Sequence, residues 1–281
     1  MKFATFSLKG GSPRAGRVDG DTVIDLGTDM LSLLAAPGGL AAAASLTGPR
    51  HALAEVTLHA PVLRPPKILA IGLNYKDHIE ETKLDTPSFP MFFNKQVTAT
   101  NGPFAAIHMP RVSDKLDYEG ELGFVVGRRC RHVPRERAHE VIAGYVVCND
   151  VSVRDWQMRA QTFTLGKSFD THAPFGPFLV TPDEVGDPHT LGLKTFVNGE
   201  LRQNSNTRHL VFDCFTQIET LTAAFTLEPG DLILTGTPSG VGIGFKPHKY
   251  LNVGDRVRIE IEKVGAIENE VIAEPADTDL I

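Results

Sequence analysis

The sequence predicts a mainly β protein with some α structure, of the α+β class. Short apolar or β-branched runs recur along the chain, whereas only one stretch has the periodicity of a convincing amphipathic helix. The 26 glycines and 19 prolines make up about one residue in six, which favours many turns and few long helices. A length of 281 residues fits one large domain, or one domain with a small attachment.

The first part of the chain predicts a small N-terminal α/β domain. Residues 2–8 and 23–26 are typical of short strands and lie around turn-rich segments. Two short helices follow them. The proline-bearing stretch 60–66 indicates a boundary, because proline cannot continue a helix or a β ladder. We therefore predict a small domain over residues 1–62 and a larger domain over residues 63–281.

The larger part is predicted to be mostly β. One amphipathic helix is expected over 211–225, where apolar residues recur at helical spacing. Alternation at Val257, Ile259 and Ile261 predicts a half-buried antiparallel strand, with a return strand over 267–272. The remaining strands are predicted over 67–72, 122–126, 141–147, 178–180, 194–197 and 232–235.

Charge and cysteine content exclude several classes of protein. Lys and Arg number 28 against 34 Asp and Glu, a net charge of −6, so nucleic acid is not an expected partner. Three widely spaced cysteines without a CxxC indicate neither a disulfide framework nor a thiolate zinc site. We expect a cytoplasmic protein. The uncharged stretch 30–49 is weakly apolar and broken at Pro37, so no membrane association is expected.

Three carboxylates at predicted strand ends form the most chemically loaded pattern. Glu119 and Glu121 are two residues apart and therefore share one face of a strand. Asp150 ends the apolar run that precedes it. Like charges beside an apolar run repel each other unless a cation neutralises them, and carboxylates suit hard ions such as Mg²⁺, with Mn²⁺ or Ca²⁺ as alternatives. A solvated strand edge is the competing interpretation.

Two further features indicate proton chemistry. In a short helix after strand 67–72, His78 and Glu81 lie at i and i+3 and can form a hydrogen bond that fixes the imidazole tautomer. Lys167 lies between small and apolar residues; buried near a metal, it would stabilise developing negative charge. Taken singly, each is also compatible with an ordinary surface contact.

The loop 235–240 is a candidate for holding a substrate carboxylate through its amides and the Thr237 hydroxyl. The glycine-rich run 240–244 follows a strand, but no helix follows it, so a dinucleotide site is not predicted. No Gly-x-Ser-x-Gly elbow is present, and a serine hydrolase is not supported.

Together these segments resemble the fumarylacetoacetate hydrolase (FAH) family. The resemblance covers nearly everything from about residue 66 onwards, and the first 60 or so residues are similar to the variable N-terminal domain of bacterial two-domain members. The matching segments, in the family's order, are 72–75 with His78, 118–122, 149–157, 166–171 with 176–177, and 229–242.

The resemblance implies a mixed β-sandwich roll, commonly a homodimer, and roles for individual residues. By it, Glu119, Glu121 and Asp150 are metal ligands for Mg²⁺ or Mn²⁺, and no organic cofactor is implied. It also makes His78 and Glu81 a dyad that deprotonates water, and Lys167 the lysine beside the metal. Spacing alone favours Glu81 over Glu80. Substrate contacts are implied for Gln157, Thr237 and, less directly, Arg154.

The resemblance implies a small oxo acid as substrate. The leading hypothesis is a metal-dependent hydrolase that cleaves a C–C bond of a 2,4-dioxo, acylpyruvate-like acid through activated water and a metal-stabilised enolate. The first alternative is a decarboxylase or isomerase of an unsaturated 2-oxo diacid in aromatic-compound catabolism, including oxaloacetate-type decarboxylation, since the same enolate arises there. A non-catalytic metabolite-binding protein on the same fold is a remote alternative.

Overall fold

A large mixed sheet runs through the molecule. The computed structural model describes residues 1–82 and 85–278. The N-terminal part contains β1 (Lys2–Ser7), β2 (Arg14–Asp19), β3 (Thr22–Asp25), α1 (Met30–Ala35), α2 (Gly39–Ala43), β4 (Arg50–Ala52) and β5 (Thr57–His59). The Asp29 carboxylate caps α1 by accepting from the Ser32 amide, as expected for a helix start.

The larger part begins with the elements that build the site. They are β6 (Ile68–Gly72), α3 (Lys76–Thr82), β7 (Met91–Lys95), β8 (Thr100–Asn101), β9 (Ile107–Met109), β10 (Leu116–Asp117), β11 (Gly120–Val126), β12 (Ile142–Asn149), β13 (Ser152–Val153), α4 (Arg154–Gln157) and α5 (Thr164–Lys167). The rest of the chain forms β14 (Ala173–Val180), α6 (Pro182–Val185), β15 (Gly192–Val197), β16 (Glu200–Asn206), α7 (Cys214–Ala224), β17 (Leu232–Leu234), β18 (Arg256–Ile261) and β19 (Gly265–Ala273).

Among the described residues the large sheet has twelve strands, in the order β4-β3-β2-β1-β14-β12-β11-β17-β6-β7, with β5 on β1 and β8 on β14. A second sheet has the order β16-β15-β18-β19-β9, and β10 pairs with β13. Most pairs are antiparallel, but β17 and β6, β14 and β8, and β19 and β9 run parallel. The mainly β, α+β class is therefore confirmed.

The N-terminal part is joined to the larger part by backbone pairing. Strand β1 pairs with β14, with Lys2 opposite Val180, so the two predicted domains share one sheet. The linker between β5 and β6 holds the prolines of the predicted boundary. The division at residue 62 stays a prediction.

Alternation along β11 assigns its two faces to different surroundings. Leu122, Phe124 and Val126 belong to the core between the large sheet and the five-stranded sheet. Val125 belongs to a second core, which packs under α1 and α2. Because side chains alternate along a strand, Glu119 and Glu121 point to the same side of the sheet as Val125.

Strand β14 is longer than the predicted 178–180, since it begins at Ala173. Pro174, Gly176 and Pro177 concealed its first half, because these residues normally weaken a strand. Strands β7 and β16 were not predicted. In the part of the chain that the structure describes, no helix is long and apolar enough to cross a bilayer.

Candidate active site

Three buried carboxylates meet at one end of the paired strands β11 and β12. Glu119, Glu121 and Asp150 each offer an oxygen, and these oxygens lie within 4.8 Å of one another. Their side chains are nearly or wholly inaccessible, at 6%, 1% and 0% exposure. Gly120 lies opposite Asn149 in the antiparallel register, and the Asp150 amide donates to the Glu119 carbonyl, at 2.9 Å. The backbone ladder itself therefore brings the three acids together.

Three buried cations surround these acids. The Lys167 ammonium lies 2.7 Å from both Glu119 Oε2 and Asp150 Oδ2. The Lys95 ammonium lies 2.5 Å from Asp150 Oδ1, and Arg154 Nη1 lies 2.7 Å from Glu119 Oε1. Glu121 accepts a hydrogen bond from the Gly236 amide, at 2.6 Å, and forms no ion pair within the described ranges. One acid is thus left without a cationic partner.

The pKa values of Glu119 and Glu121 diverge for this reason. Burial raises the pKa of Glu119, but the charges of Lys167 and Arg154 outweigh burial and lower it to about 2. Burial, then the charges of Asp150 and Glu119, raise the pKa of Glu121 well above its ordinary value. Burial lowers the pKa of Lys167, but Asp150 and Glu119 outweigh it and raise the pKa. The charge of Lys167 acts on Glu121 too, but it does not offset burial and the two neighbouring carboxylates.

The acidic cluster fits a hard divalent cation. All three donors are carboxylate oxygens, which Mg²⁺, Mn²⁺ and Ca²⁺ prefer over nitrogen or sulfur. A cation held by the cluster would also neutralise Glu121, the acid that has no ion-pair partner among the described residues. Glu119, Glu121 and Asp150 are thus the residues that would hold a metal.

Lys167 and Gln157 reach the site because two short helices pack closely. A Cβ on Gly166 would lie 2.2 Å from the Gln157 amide nitrogen, so only glycine permits α5 to approach α4 this closely. Gln157 Oε1 accepts from Arg154 Nη1 at 2.9 Å. The Phe93 ring lies 5.1 Å from the Lys167 ammonium, which is 2% exposed. The lysine is therefore held rigidly beside the acids.

Helix α3 carries His78 and Glu81 to the same region. His78 Nδ1 lies 3.1 Å from Glu81 Oε2, as the i, i+3 spacing predicted. Asn74 anchors the start of this segment, since its amide donates to the carbonyls of Phe212 and Thr235. Glu81 Oε1 also accepts from the Gly240 amide at 3.0 Å. Glu80 is exposed. Glu81, not Glu80, contacts the histidine.

A cavity of about 230 Å³ opens onto this cluster. One part of its wall is polar, and the other is apolar. The polar part is formed by His78, Glu119, Arg154, Gln157, Lys167 and Thr237. The apolar part is formed by Ile71, Leu73, Met91, Phe93, Met158, Phe163 and Ile243. The structure thus brings most of the predicted site residues to one small cavity, and Glu121, Asp150 and Glu81 contact or lie behind its wall.

Thr237 lines the cavity, but its hydroxyl is already engaged. It donates to the Gly120 carbonyl at 3.0 Å and accepts from Gln203 Nε2 at 2.8 Å. A hydrogen bond donated by this hydroxyl to a substrate would require the one donated to the Gly120 carbonyl to break. Arg154 Nη2, by contrast, is buried and has no hydrogen-bond partner in the described part of the chain. It is a donor available to an anion in the cavity.

Sequence reasoning missed two residues of this site. Lys95 is 2% exposed and forms an ion pair with Asp150, which lies 55 positions later in the sequence. No local sequence pattern predicts this pair. Asp117 is fully buried and contacts Arg154 Nε at 2.8 Å. Its position two residues before Glu119 was the available signal, since it shares a face with that acid on an extended chain.

Comparison with known proteins agrees with this fold. The family model described as "Fumarylacetoacetate (FAA) hydrolase C-terminal" matches residues 67–272, and one described as "Rv2993c-like, N-terminal" matches residues 1–61. The chain is a sheet-rich protein with a buried acidic centre, and it belongs to the fumarylacetoacetate hydrolase family. The resemblance drawn from the sequence motifs is confirmed.

Relatives within the family carry several activities. The chain is 44% identical over 235 residues to the Xenopus laevis protein named oxaloacetate tautomerase fahd2, mitochondrial. The aligned region covers 82% of this chain and 74% of that protein. It resembles the structure of 5-carboxymethyl-2-hydroxymuconate delta-isomerase from Mycobacterium smegmatis, with a TM-score of 0.83, 35% identity and coverage of 98% and 100%.

A further solved structure is maleylpyruvate hydrolase from Sphingobium sp. SYK-6 in complex with manganese(II) and pyruvate. Its TM-score is 0.80, with 36% identity and coverage of 98% of this chain and 100% of that chain. The FAH-type fold is therefore confirmed, and the relatives named here are enzymes of tautomerisation, isomerisation and hydrolysis.

Proposed function

We propose that this protein is a metal-dependent enzyme that interconverts the enol and keto forms of oxaloacetate or a closely similar 2-oxo diacid. The observation that carries the proposal is the small cavity in which His78, Lys167 and Arg154 converge beside the acidic cluster. The 44% identity to a protein named oxaloacetate tautomerase supports this reaction over hydrolysis, which the sequence motifs alone had placed first. Mg²⁺ or Mn²⁺ is the proposed cofactor.

The polar wall suits a small dianion. Arg154 Nη2 is buried without a partner among the described residues, and it can donate to a substrate carboxylate. Gln157 supplies a neutral polar group beside it. A cavity of about 230 Å³ is small, which favours a four-carbon acid over bulkier dioxo acids.

The reaction moves one proton. When the keto form enolises, the C3–H bond breaks, its electron pair becomes the C2=C3 double bond, and the oxo oxygen becomes a hydroxyl. With Nδ1 donating to Glu81, the basic electron pair of His78 lies on Nε2, the atom that accepts the C3 proton and returns it to oxygen. Lys167 stabilises the negative charge that develops on the oxo group. A divalent cation held by Glu119, Glu121 and Asp150 would supply further positive charge to stabilise the developing enolate.

A second candidate is hydrolysis of a C–C bond in a 2,4-dioxo acid. The contact between His78 and Glu81 is compatible with it, because the same dyad can take a proton from water as well as from carbon. The likeness to a maleylpyruvate hydrolase supports it as well. Decarboxylation or isomerisation of an unsaturated 2-oxo diacid uses the same charge stabilisation without an attacking water.

One panel of assays separates these reactions. The Mn²⁺-loaded enzyme is given enol-oxaloacetate, acetylpyruvate and maleylpyruvate, and ketonisation, CO₂ release and pyruvate release are followed in parallel. We expect ketonisation of oxaloacetate to have the highest kcat/KM and to require His78, with exposed Glu80→Ala as the matched control. Faster pyruvate release from either dioxo acid would replace the proposal with the hydrolase. Tight binding of every acid without turnover would favour a metabolite-binding protein.

Assembly and location stay predictions. We propose a homodimer, because members of the family commonly pair, and a cytoplasmic protein, because the cysteines Cys130, Cys148 and Cys214 are free. Light scattering of the purified protein measures the first, and fractionation of the source cells measures the second.

A further inference from the structure

One buried carboxylate outside the acidic cluster connects two parts of the site. Asp117 is fully buried and accepts four hydrogen bonds. Its Oδ1 accepts from the amides of Tyr118, at 2.9 Å, and Gly242, at 2.7 Å. Its Oδ2 accepts from the Ile243 amide, at 2.9 Å, and from Arg154 Nε, at 2.8 Å. The carboxylate therefore ties the loop 240–244 to Arg154.

On one side, the loop 240–244 contacts the Glu81 carboxylate and holds it in position. The Gly240 amide donates to Glu81 Oε1 at 3.0 Å, with Gly240 in the left-handed region at φ +98°. A Cβ on Gly244 would lie 2.6 Å from the same carboxylate oxygen. The loop thus contacts Glu81 closely at two glycines, and any shift of the loop moves the partner of His78.

On the other side, Arg154 connects Asp117 to the cavity. The guanidinium contacts Glu119 Oε1 through Nη1, at 2.7 Å, and its Nη2 has no partner among the described residues. Because a guanidinium is planar and rigid, fixing Nε fixes the direction of both terminal nitrogens. Asp117 therefore determines where Nη2 lies in the cavity wall.

We infer that Asp117 is a positioning residue with two separable effects. Through the loop 240–244 it holds Glu81 against His78, which acts on kcat, and through Arg154 it holds the group that binds the substrate carboxylate, which acts on KM. The inference rests on the proposed roles of His78 and Arg154. Among the described residues, Asp117 lies outside the lining of the cavity and outside the acidic cluster.

Asp117→Asn is the variant that tests this. In asparagine an NH₂ group, which donates and does not accept, replaces one carboxylate oxygen. With that group in the place of Oδ2, the hydrogen bonds from Ile243 and Arg154 are lost, while the side chain keeps its size. Misplacement of a catalytic group by about 1 Å costs on the order of 10²-fold in rate, and we expect kcat to fall roughly ten- to a hundredfold with a raised KM. Mn²⁺ affinity, measured by titration calorimetry, should change little.

A double-mutant cycle with Glu81→Ala distinguishes positioning from a general structural role. In the Glu81→Ala background, Asp117→Asn should leave kcat nearly unchanged while it still raises KM. The reason is that the loop 240–244 then has no Glu81 carboxylate to hold in position. The control is Asp25→Asn, which removes a buried carboxylate of the N-terminal part and should leave both constants unchanged. Melting temperatures identify any variant that has not folded.

The outcomes of this double-mutant cycle separate the positioning role of Asp117 from the proposed function. Fully multiplicative effects of Asp117→Asn and Glu81→Ala on kcat would overturn the positioning role and leave the proposed function intact. If Glu81→Ala is silent by itself, the dyad in the proposed function is wrong, and the inference fails with it. Should Asp117→Asn not fold, Gly244→Ala enters the same cycle, since it displaces Glu81 directly; additivity there would likewise overturn the inference.

Discussion

Replacing Glu121 with glutamine should make the metal-free protein more stable, and it should reduce the stability that the protein gains from bound metal. Glu121 is 1% exposed, and burial together with Asp150 and Glu119 raises its pKa well above the ordinary value of 4.5. The folded state therefore keeps a proton that the unfolded chain releases above pH 4.5. The metal-free protein accordingly loses stability as the pH rises from 4.5 toward the folded pKa.

The size of this effect follows from linkage. Each pH unit between the unfolded and folded pKa costs on the order of 1 kcal/mol, so at pH 7 the cost is at most about 3 kcal/mol. Glutamine has the shape of the acid, has no charge, and can accept the Gly236 hydrogen bond through its oxygen. We expect Glu121→Gln to gain about 1–3 kcal/mol at pH 7 in chelator and little near pH 4.5.

Urea unfolding at pH 5 and pH 7, in chelator and in Mn²⁺, measures both halves of this prediction. The wild type should gain stability from Mn²⁺, whereas Glu121→Gln should gain much less because it has lost a ligand. Glu80→Gln, on the exposed face of α3, is the control and should follow the wild type. A variant that is destabilised in chelator at pH 7, or that gains as much from Mn²⁺ as the wild type, would refute the reasoning.

Three further perturbations test the site and its surroundings. His78→Ala should lower kcat by roughly 10²–10⁴-fold with Mn²⁺ affinity retained; loss of Mn²⁺ instead would make it a ligand. Lys167→Met should lower kcat by about 10²-fold or more while Mn²⁺ binds at least as tightly, because a competing cation is removed; weaker Mn²⁺ binding would contradict this. Burial lowers the pKa of His172 to about 3, so the folded protein loses stability as the pH falls below 6.5, by about 2 kcal/mol at pH 5. His172→Gln should remove the loss of stability at acid pH that His172 causes, as measured by urea unfolding. An unchanged pH dependence of stability would exclude His172 as its cause.

The sequence was sufficient for the features that depend on local periodicity. The alternation along β11 predicted that Glu119 and Glu121 share a face, and the i, i+3 spacing in α3 predicted the contact between His78 and Glu81. Helix α7 was predicted over 211–225 and forms at Cys214–Ala224, because its apolar stripe packs on the core.

Contacts between distant segments were not predictable in the same way. Lys95 lies on β7, at the edge of the large sheet, and nothing in its neighbours indicates that it pairs with Asp150. The role of Asp117 depends on loop 240–244, more than 120 positions later in the chain. Thr237 was predicted as a substrate contact, and this role stays a prediction. Its hydroxyl donates to the Gly120 carbonyl and accepts from Gln203, and no local pattern connects either residue to it.

We propose that the buried acidic cluster makes enolate chemistry possible at the adjoining cavity. The most direct measurement is stopped-flow ketonisation of enol-oxaloacetate by the chelated enzyme, the Mn²⁺-loaded enzyme and the Mn²⁺-loaded variant Glu119→Gln. We predict that Mn²⁺ loading raises the rate far above the solution background and that both chelation and Glu119→Gln return it close to that background. A chelated enzyme that ketonises oxaloacetate as fast as the loaded one would contradict the account.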